Sequence, residues 1–266
     1  RFSINLSAMY GHDQSRMPKE DLAGSIFLPP TAPPPFDSAG NLNWSENNFN
    51  FTNPFAKLLQ DYEGLTEMLN TSLNISYRIT KGLVLRSSAG FNRITLDELV
   101  LTPIASQSPV GTPYGIAAKT DNSVKNWIIE PQLEYSLGFS RHVKLQLLAG
   151  GSFQNKTQAS SILDASGFTD DRFLRLYSSA PSLKLSNKAT EYKYRGAFGR
   201  ARFNWKDKFL LNVSARRDGS SRFGPGKQWA NFGAVGAGYV FSEEQFFKKQ
   251  SALSFGKLRV SYGTAG

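Results

Sequence analysis

The stretch SARRDGSSRFG gathers Arg216, Arg217, Asp218 and Arg222 around Gly219 and Gly224, three cations beside one carboxylate. Such a group can meet nucleic-acid phosphate, hold a smaller anion, or line the top of a water-filled interior. Little else in the chain offers chemistry. The two histidines, His12 and His142, lie far apart and lack a carboxylate or second histidine at ligand spacing, which argues against a metal. Asp170-Asp171 and Glu243-Glu244 are adjacent pairs whose side chains diverge in extended chain, so they do not form an acid–base couple. Cysteine is absent, which removes disulfides, thiolate catalysis and thiolate-bound zinc together. The run GAVGAG has the wrong order of glycines for a dinucleotide loop, and GPGK lacks the spacing of a phosphate loop. We expect no catalytic residue, no cofactor and no metal.

The elements that must carry the arginines read as strands. Phe2, Ile4, Leu6, Ala8 and Tyr10 alternate with polar residues, as do Leu69, Leu73, Ile75 and Tyr77. Beyond a tight turn at Thr80-Lys81-Gly82 the pattern resumes with Leu83, Leu85, Ala89 and Phe91. It recurs in Trp127–Leu137, Val143–Phe153, Ala197–Trp205 and Phe209–Ala215, then in a glycine-rich run from Trp229 and a last one through Leu258, Val260 and Tyr262. The count is about nine strands, with almost no sustained helical period. Their connections alternate in length: residues 11–68, 97–123 and 157–188 and the arginine stretch are long, whereas 78–82, 138–142, 206–208 and 242–251 are on the short side. A transmembrane strand needs only about 9–11 residues, half of them polar, so the absence of a long apolar window leaves a membrane barrel open. Long loops on one rim and short turns on the other are the layout of an outer-membrane barrel.

Aromatic residues mark both rims. Tyr77, Phe139, Trp205, Phe209, Tyr239 and Phe241 adjoin short turns, and Tyr10, Phe91, Trp127, Phe153 and Trp229 adjoin the long side. Two girdles are what strands need where a lipid-facing surface meets water twice. This placement explains the aromatics better than base stacking does, so no nucleic-acid partner is expected. The net charge of +10 has no dense basic block and reads as solvated loops. Pro131 falls inside a strand and predicts a bulge, while Lys193 and Arg195, in line with an apolar face, predict that their segment rises above the bilayer. Nine strands would leave two open edges, which lipid does not tolerate. Residues 1–266 therefore read as part of a single, larger barrel of about 22 strands, the remainder lying outside this chain. PPTAPPPF, residues 29–36, reads as a rigid spacer or a protein-binding surface.

The segment from residue 209 to 266 resembles the signature region of SusC/RagA-type TonB-dependent transporters. The resemblance is carried by Arg216, Asp218, Gly219, Ser220, Ser221, Arg222, Phe223 and Trp229, then Glu244 and Phe246, then Lys257, Leu258, Arg259, Ser261, Tyr262 and Gly263. NPFA, residues 53–56, and the hairpin LNISYRITKGLVLRSSAGFN are similar to the family too; Gly233-Ala234 stands where the family usually has Pro-Ser. The resemblance implies an antiparallel transmembrane β-barrel in the outer membrane of a Gram-negative bacterium. It further implies a plug absent from this chain and reached by TonB, a SusD-like surface lipoprotein, and an oligosaccharide or oligopeptide cargo. On it, the signature residues Arg216, Asp218, Gly219, Ser220, Ser221, Arg222, Phe223, Trp229, Lys257, Arg259 and Tyr262 face the lumen or the plug and are structural. Two other readings stay open: a soluble all-β carbohydrate- or peptide-binding domain, and a passive porin.

Overall fold

The computed structural model describes residues 1–29, 31–46, 49–140, 142–244, 246 and 254–264. One antiparallel sheet takes up most of the chain. Its strands are β1 (Phe2–Pro18), β4 (Asp61–Thr80), β5 (Leu83–Thr102), β6 (Gly115–Ser140), β7 (Val143–Phe168), β8 (Ser182–Trp205), β9 (Phe209–Ser220), β10 (Trp229–Tyr239) and β11 (Leu258–Gly263), each paired with its neighbour in chain order. A two-residue pair, β2 (Ser45–Glu46) and β3 (Phe49–Asn50), sits in the first long connection. Contacts run between sequential strands, and no second layer packs on the sheet among the described residues. No helix there is long and apolar enough to cross a membrane, which says nothing of a barrel.

The strands are longer than the alternation predicts. β6 and β7 have 26 residues each, about 85 Å at roughly 3.3 Å a residue, against the 9–11 or so that cross a bilayer. The long-side connections shrink accordingly: the expected loops 97–123 and 157–188 are mostly strand, leaving 103–114 and 169–181. Above the apolar band the strands face water or the overlying loop, with no hydrocarbon on either side, so backbone pairing continues but alternation of apolar and polar residues has no cause and these extensions carry no period-two signal.

Short turns are set by local geometry. Gly82 has φ of 92°, and a Cβ there would lie 2.4 Å from the Ser136 carbonyl oxygen, whose own amide donates to Gly82 O at 2.8 Å. Only glycine fits. Between β8 and β9, Lys206 and Asp207 both have positive φ (56° and 53°), the geometry of a tight hairpin turn. Asn204 Oδ1 accepts from the Asp207 amide at 3.0 Å, and Lys144 Nζ pairs with the Asp207 carboxylate at 3.2 Å. The β6–β7 turn includes Arg141, and the β10–β11 connection includes 245 and 247–253; these lie outside the described residues, as does Pro30 of the proline-rich segment.

Pro131 makes no bulge. β6–β7 pairing stops at Ile129–Phe153 and resumes at Gln132–Gly150 in the same register. The missing amide is accommodated by a gap, which the Ser152 hydroxyl bridges on the polar face by donating to Glu130 Oε1 at 2.9 Å.

Among the described residues, buried apolar side chains are few. The main cluster, Leu101, Ala117, Ala165, Phe168 and Leu174, lies at the long-loop end, where residues 169–181 fold over the strand tops. By contrast Leu211 and Val213 are 42% and 43% exposed, in the middle of β9.

Candidate functional site

Register and alternation divide the sheet into two surfaces. One carries Phe2, Leu73, Ile75, Leu85, Ala89, Leu133, Leu145, Leu147, Phe203, Leu211, Val213 and Val235; the other carries Ser3, Asn5, Asn74, Ser76, Arg86, Glu134, Gln146, Arg202, Asn212 and Ser214. The polar surface is bonded laterally: Asn92 donates to Asn70, Gln154 to Asn126 at 3.0 Å, and Arg86 meets Glu134 at 3.5 Å. On the apolar surface, rings gather at two levels. Trp205, Phe209 and Tyr239 stack at the short-turn end, with centroids 5.3 and 4.9 Å apart. Farther up, Phe91 pairs directly with Trp127, and one rung joins Phe153, Arg195, Gly219 and Trp229. From Trp229 to Tyr239 is a strand of 11 residues, the length that crosses the hydrocarbon. Lys193 lies one outward step beyond that rung and Arg195 on it, so their segment leaves the apolar band there.

The arginine stretch is split by this alternation. Arg216 and Asp218 lie on the polar surface. The Arg216 guanidinium donates through Nε to both Asp218 oxygens, at 2.7 and 2.8 Å, and through Nη2 to Tyr194 Oη, whose hydroxyl donates to Asp218 at 2.8 Å. Gly196 makes the room: a Cβ there would come within 2.7 Å of Asp218 Oδ1. The Arg216 guanidinium lies 5.4 Å from the Phe198 ring centroid, and Phe198 in turn covers Gly150. Arg216, Asp218 and Tyr194 are thus bonded to one another across β8 and β9, an arrangement suited to bracing the two strands.

Arg217 points the other way, its guanidinium 5.1 Å from the Trp229 ring centroid, and that ring lies over Gly219. Trp229 and Gly219 are therefore on the apolar surface, as is Tyr262, opposite Val235 on β11. These three were expected toward the lumen or plug, and strand parity turns them away from it. Ser220 and Arg259 share the polar surface with Arg216. Ser221 ties the turn to β8, its hydroxyl accepting from the Lys193 amide at 2.9 Å. Arg222 lies 4.7 Å from the Tyr192 ring centroid, Phe223 is exposed, and Lys257 abuts Gly238. Glu244 anchors the short-turn end through Lys208 at 3.0 Å and Tyr239 at 3.2 Å. Among the described residues, Arg200, Arg202, Lys257 and Arg259 have no carboxylate within ion-pair distance, and no three metal-ligating groups converge.

Two features escape motif reading. Tyr194 completes the triad from β8, Gly196 leaves it room and Phe198 lies against Arg216, all signalled only by their alternation in YKYRGAFG. Above the apolar band, Arg175 reaches Glu63 of β4 with a forked pair, at 2.5 and 3.0 Å, and Asp171 accepts the Ile104 and Ala105 amides at 2.6 and 3.1 Å. Arg175 holds the Glu63 carboxyl below its ordinary range, and Arg172 beside Asp170 lowers that group to about 2. In the first long connection, Asn53 is fully buried and donates to the Pro35 and Asn43 carbonyls at 2.5 and 2.9 Å, which explains the start of NPFA.

A one-layer antiparallel wall with an apolar girdled surface and a braced polar surface agrees with the family comparison: a model described as TonB dependent receptor-like, beta-barrel matches residues 12–266. The chain belongs to this family. It is 29% identical to a TonB-dependent receptor of Formosa agariphila over 220 residues, 80% of this chain and 21% of that protein. To the TonB-dependent receptor SusC of Bacteroides thetaiotaomicron it is 23% identical over 303 residues, 100% of this chain and 28% of that protein. Its fold matches the structure of the RagAB peptide transporter with a TM-score of 0.74 at 20% identity, covering 98% of this chain and 31% of that one. The chain thus spans about a fifth to a third of the length of these three proteins. The family consists of receptors and transporters, not enzymes, in the outer membrane of Gram-negative bacteria.

Proposed function

We propose that this chain is part of the wall of an outer-membrane importer of SusC/RagA type, which takes up an oligomeric nutrient, glycan or peptide, in a TonB-dependent step. The observation that carries the reading is the pair of surfaces on a single sheet: aliphatic residues outward between two aromatic girdles, amides and charges inward. Hydrocarbon outside and water or protein inside are the surroundings that leave neither surface unsatisfied. A soluble binding domain would instead bury Leu147, Leu211 and Val213, which are 40–43% exposed. In this reading further strands close the barrel, and a plug fills it and takes the pull of TonB. The unpaired Arg200, Arg202, Lys257 and Arg259 face that plug, and the Arg216–Asp218–Tyr194 triad stiffens the wall beside it. A SusD-like lipoprotein caps the long-loop rim, where the 169–181 segment and the Asn53-centred connection stand.

Deletion of the complete receptor gene in its own host tests this. Growth on oligomeric glycans or on peptides should fail for one class, and inactivation of TonB should reproduce the failure. Uptake that survives loss of TonB would replace the importer with a passive porin. Co-purification of a surface lipoprotein with the tagged receptor tests the lid.

A further inference from the structure

The apolar surface is not wholly apolar. Arg93, Lys125, Arg195 and Arg217 point outward from it, all exposed, and each adjoins a ring of the upper girdle. Arg93 is two residues beyond Phe91, and Lys125 two residues from Trp127. Arg195 is registered directly against Phe153, and Arg217 stacks on Trp229. Arg93 and Lys125 are also directly opposite each other on adjacent strands, a like-charge pairing that destabilises a sheet unless an anion joins it. Arg195 and Arg217 are diagonal neighbours across β8 and β9, since Arg195 pairs with Gly219. Among the described residues none of the four has a carboxylate within ion-pair distance. Of the outward acids nearby, Glu67 is engaged by Tyr10 at 3.0 Å, Asp121 by Lys119 at 3.0 Å and Glu191 by Lys193 at 2.9 Å, and Asp97 stands opposite Asp121 on the neighbouring strand. Between the two cation pairs β7 turns outward Asn155 and Thr157, uncharged and polar.

We infer that Arg93, Lys125, Arg195 and Arg217 form a binding surface for the phosphates of a phosphorylated glycolipid in the surrounding outer leaflet. The inference rests on the outer-membrane reading above. Charge complementarity selects the anion. The girdle rings beside every cation select one carried on a lipid, because they place acyl chains and sugar next to the phosphate, which a free ion has no use for. Lipid so held would coat the wall from β5 to β9, about 20 Å across at strand spacing, and relieve the Arg93–Lys125 repulsion.

The complete receptor, purified in detergent, is titrated with phosphatidylcholine vesicles carrying diphosphoryl lipid A, with the same vesicles carrying the dephosphorylated lipid, and with inorganic phosphate. Binding should need the phosphorylated lipid, weaken with salt, and fall roughly fivefold for each cation neutralised in the series Arg93→Gln, Lys125→Gln, Arg195→Gln and Arg217→Gln. Arg202→Gln, on the opposite surface, should leave it unchanged. Retarded gel mobility without heating confirms that each variant is folded. Equal binding by the fourfold variant, indifference to the lipid's phosphates, or displacement by inorganic phosphate alone would overturn the site. Cell fractionation of the same strains separates the two conclusions: a receptor in the outer membrane without lipid preference refutes only the site, and one found elsewhere refutes both.

Discussion

Between the girdles the sheet has hardly any core, and its aliphatic side chains stand outward for a solvent that is not water. Above the upper girdle the same strands run on, and there the loop 169–181 lays Leu174 on Leu101, Ala117 and Ala165, while Arg175 clasps Glu63. The first region is specified by what surrounds it, the second by what the chain folds onto itself. Stability should therefore depend on the host membrane below the girdle and on side-chain contacts above it.

The largest effect should come from mistaking one surface for the other. Val213→Arg, on the apolar surface near the middle of β9, should cost about 2–4 kcal/mol, and Ser214→Arg, one residue on, less than about 1 kcal/mol. Urea unfolding of the receptor in lipid vesicles measures both, and equal costs would remove the distinction between the surfaces. Gly82→Ala strains the short-turn rim itself. Its positive φ and the Ser136 carbonyl 2.4 Å from the new Cβ predict a loss of about 2–3 kcal/mol and a lower folded fraction on unheated gels.

Above the girdle the effects should be local. Leu174 is 4% exposed, and Leu174→Ala should open residues 169–181 by about 2 kcal/mol, read as faster hydrogen exchange there with the melting of β9 unchanged. Melting of the whole barrel in step would show that the two regions are one cooperative unit. The smallest effect belongs to Glu63. Because Arg175 lowers its folded-state pKa, the pair's contribution is complete above the carboxylate's unfolded pKa and is lost as pH falls through the lowered value. Exchange in 169–181 should rise over that acid range, and Glu63→Gln should abolish the rise at a cost of up to about 1 kcal/mol at neutral pH.

What could be read in advance follows the same division. The segments with Leu211 and Val213 against Asn212 and Ser214 were legible because each residue's surroundings alternate with its own position. The upper parts of β6 and β7, the clasp of Arg175 on Glu63 and the closing of the triad by Tyr194 were not. Their side chains meet water or partners tens of residues away, and a period of two has no purchase there. Pro131 misled for a related reason: a missing donor announces a broken bond, and only the neighbouring strand decides whether the register slips.

The sequence by itself determined which residues share a surface, where the short turns fall and that two girdles exist, because parity, glycine φ and turn chemistry are local. The tertiary structure alone decided how far the strands run. It also decided which partners Arg216 and Arg217 meet, and that Arg195 and Arg217 become neighbours. Register joins residues distant along the chain, and hydrogen bonding of one whole strand to the next fixes it.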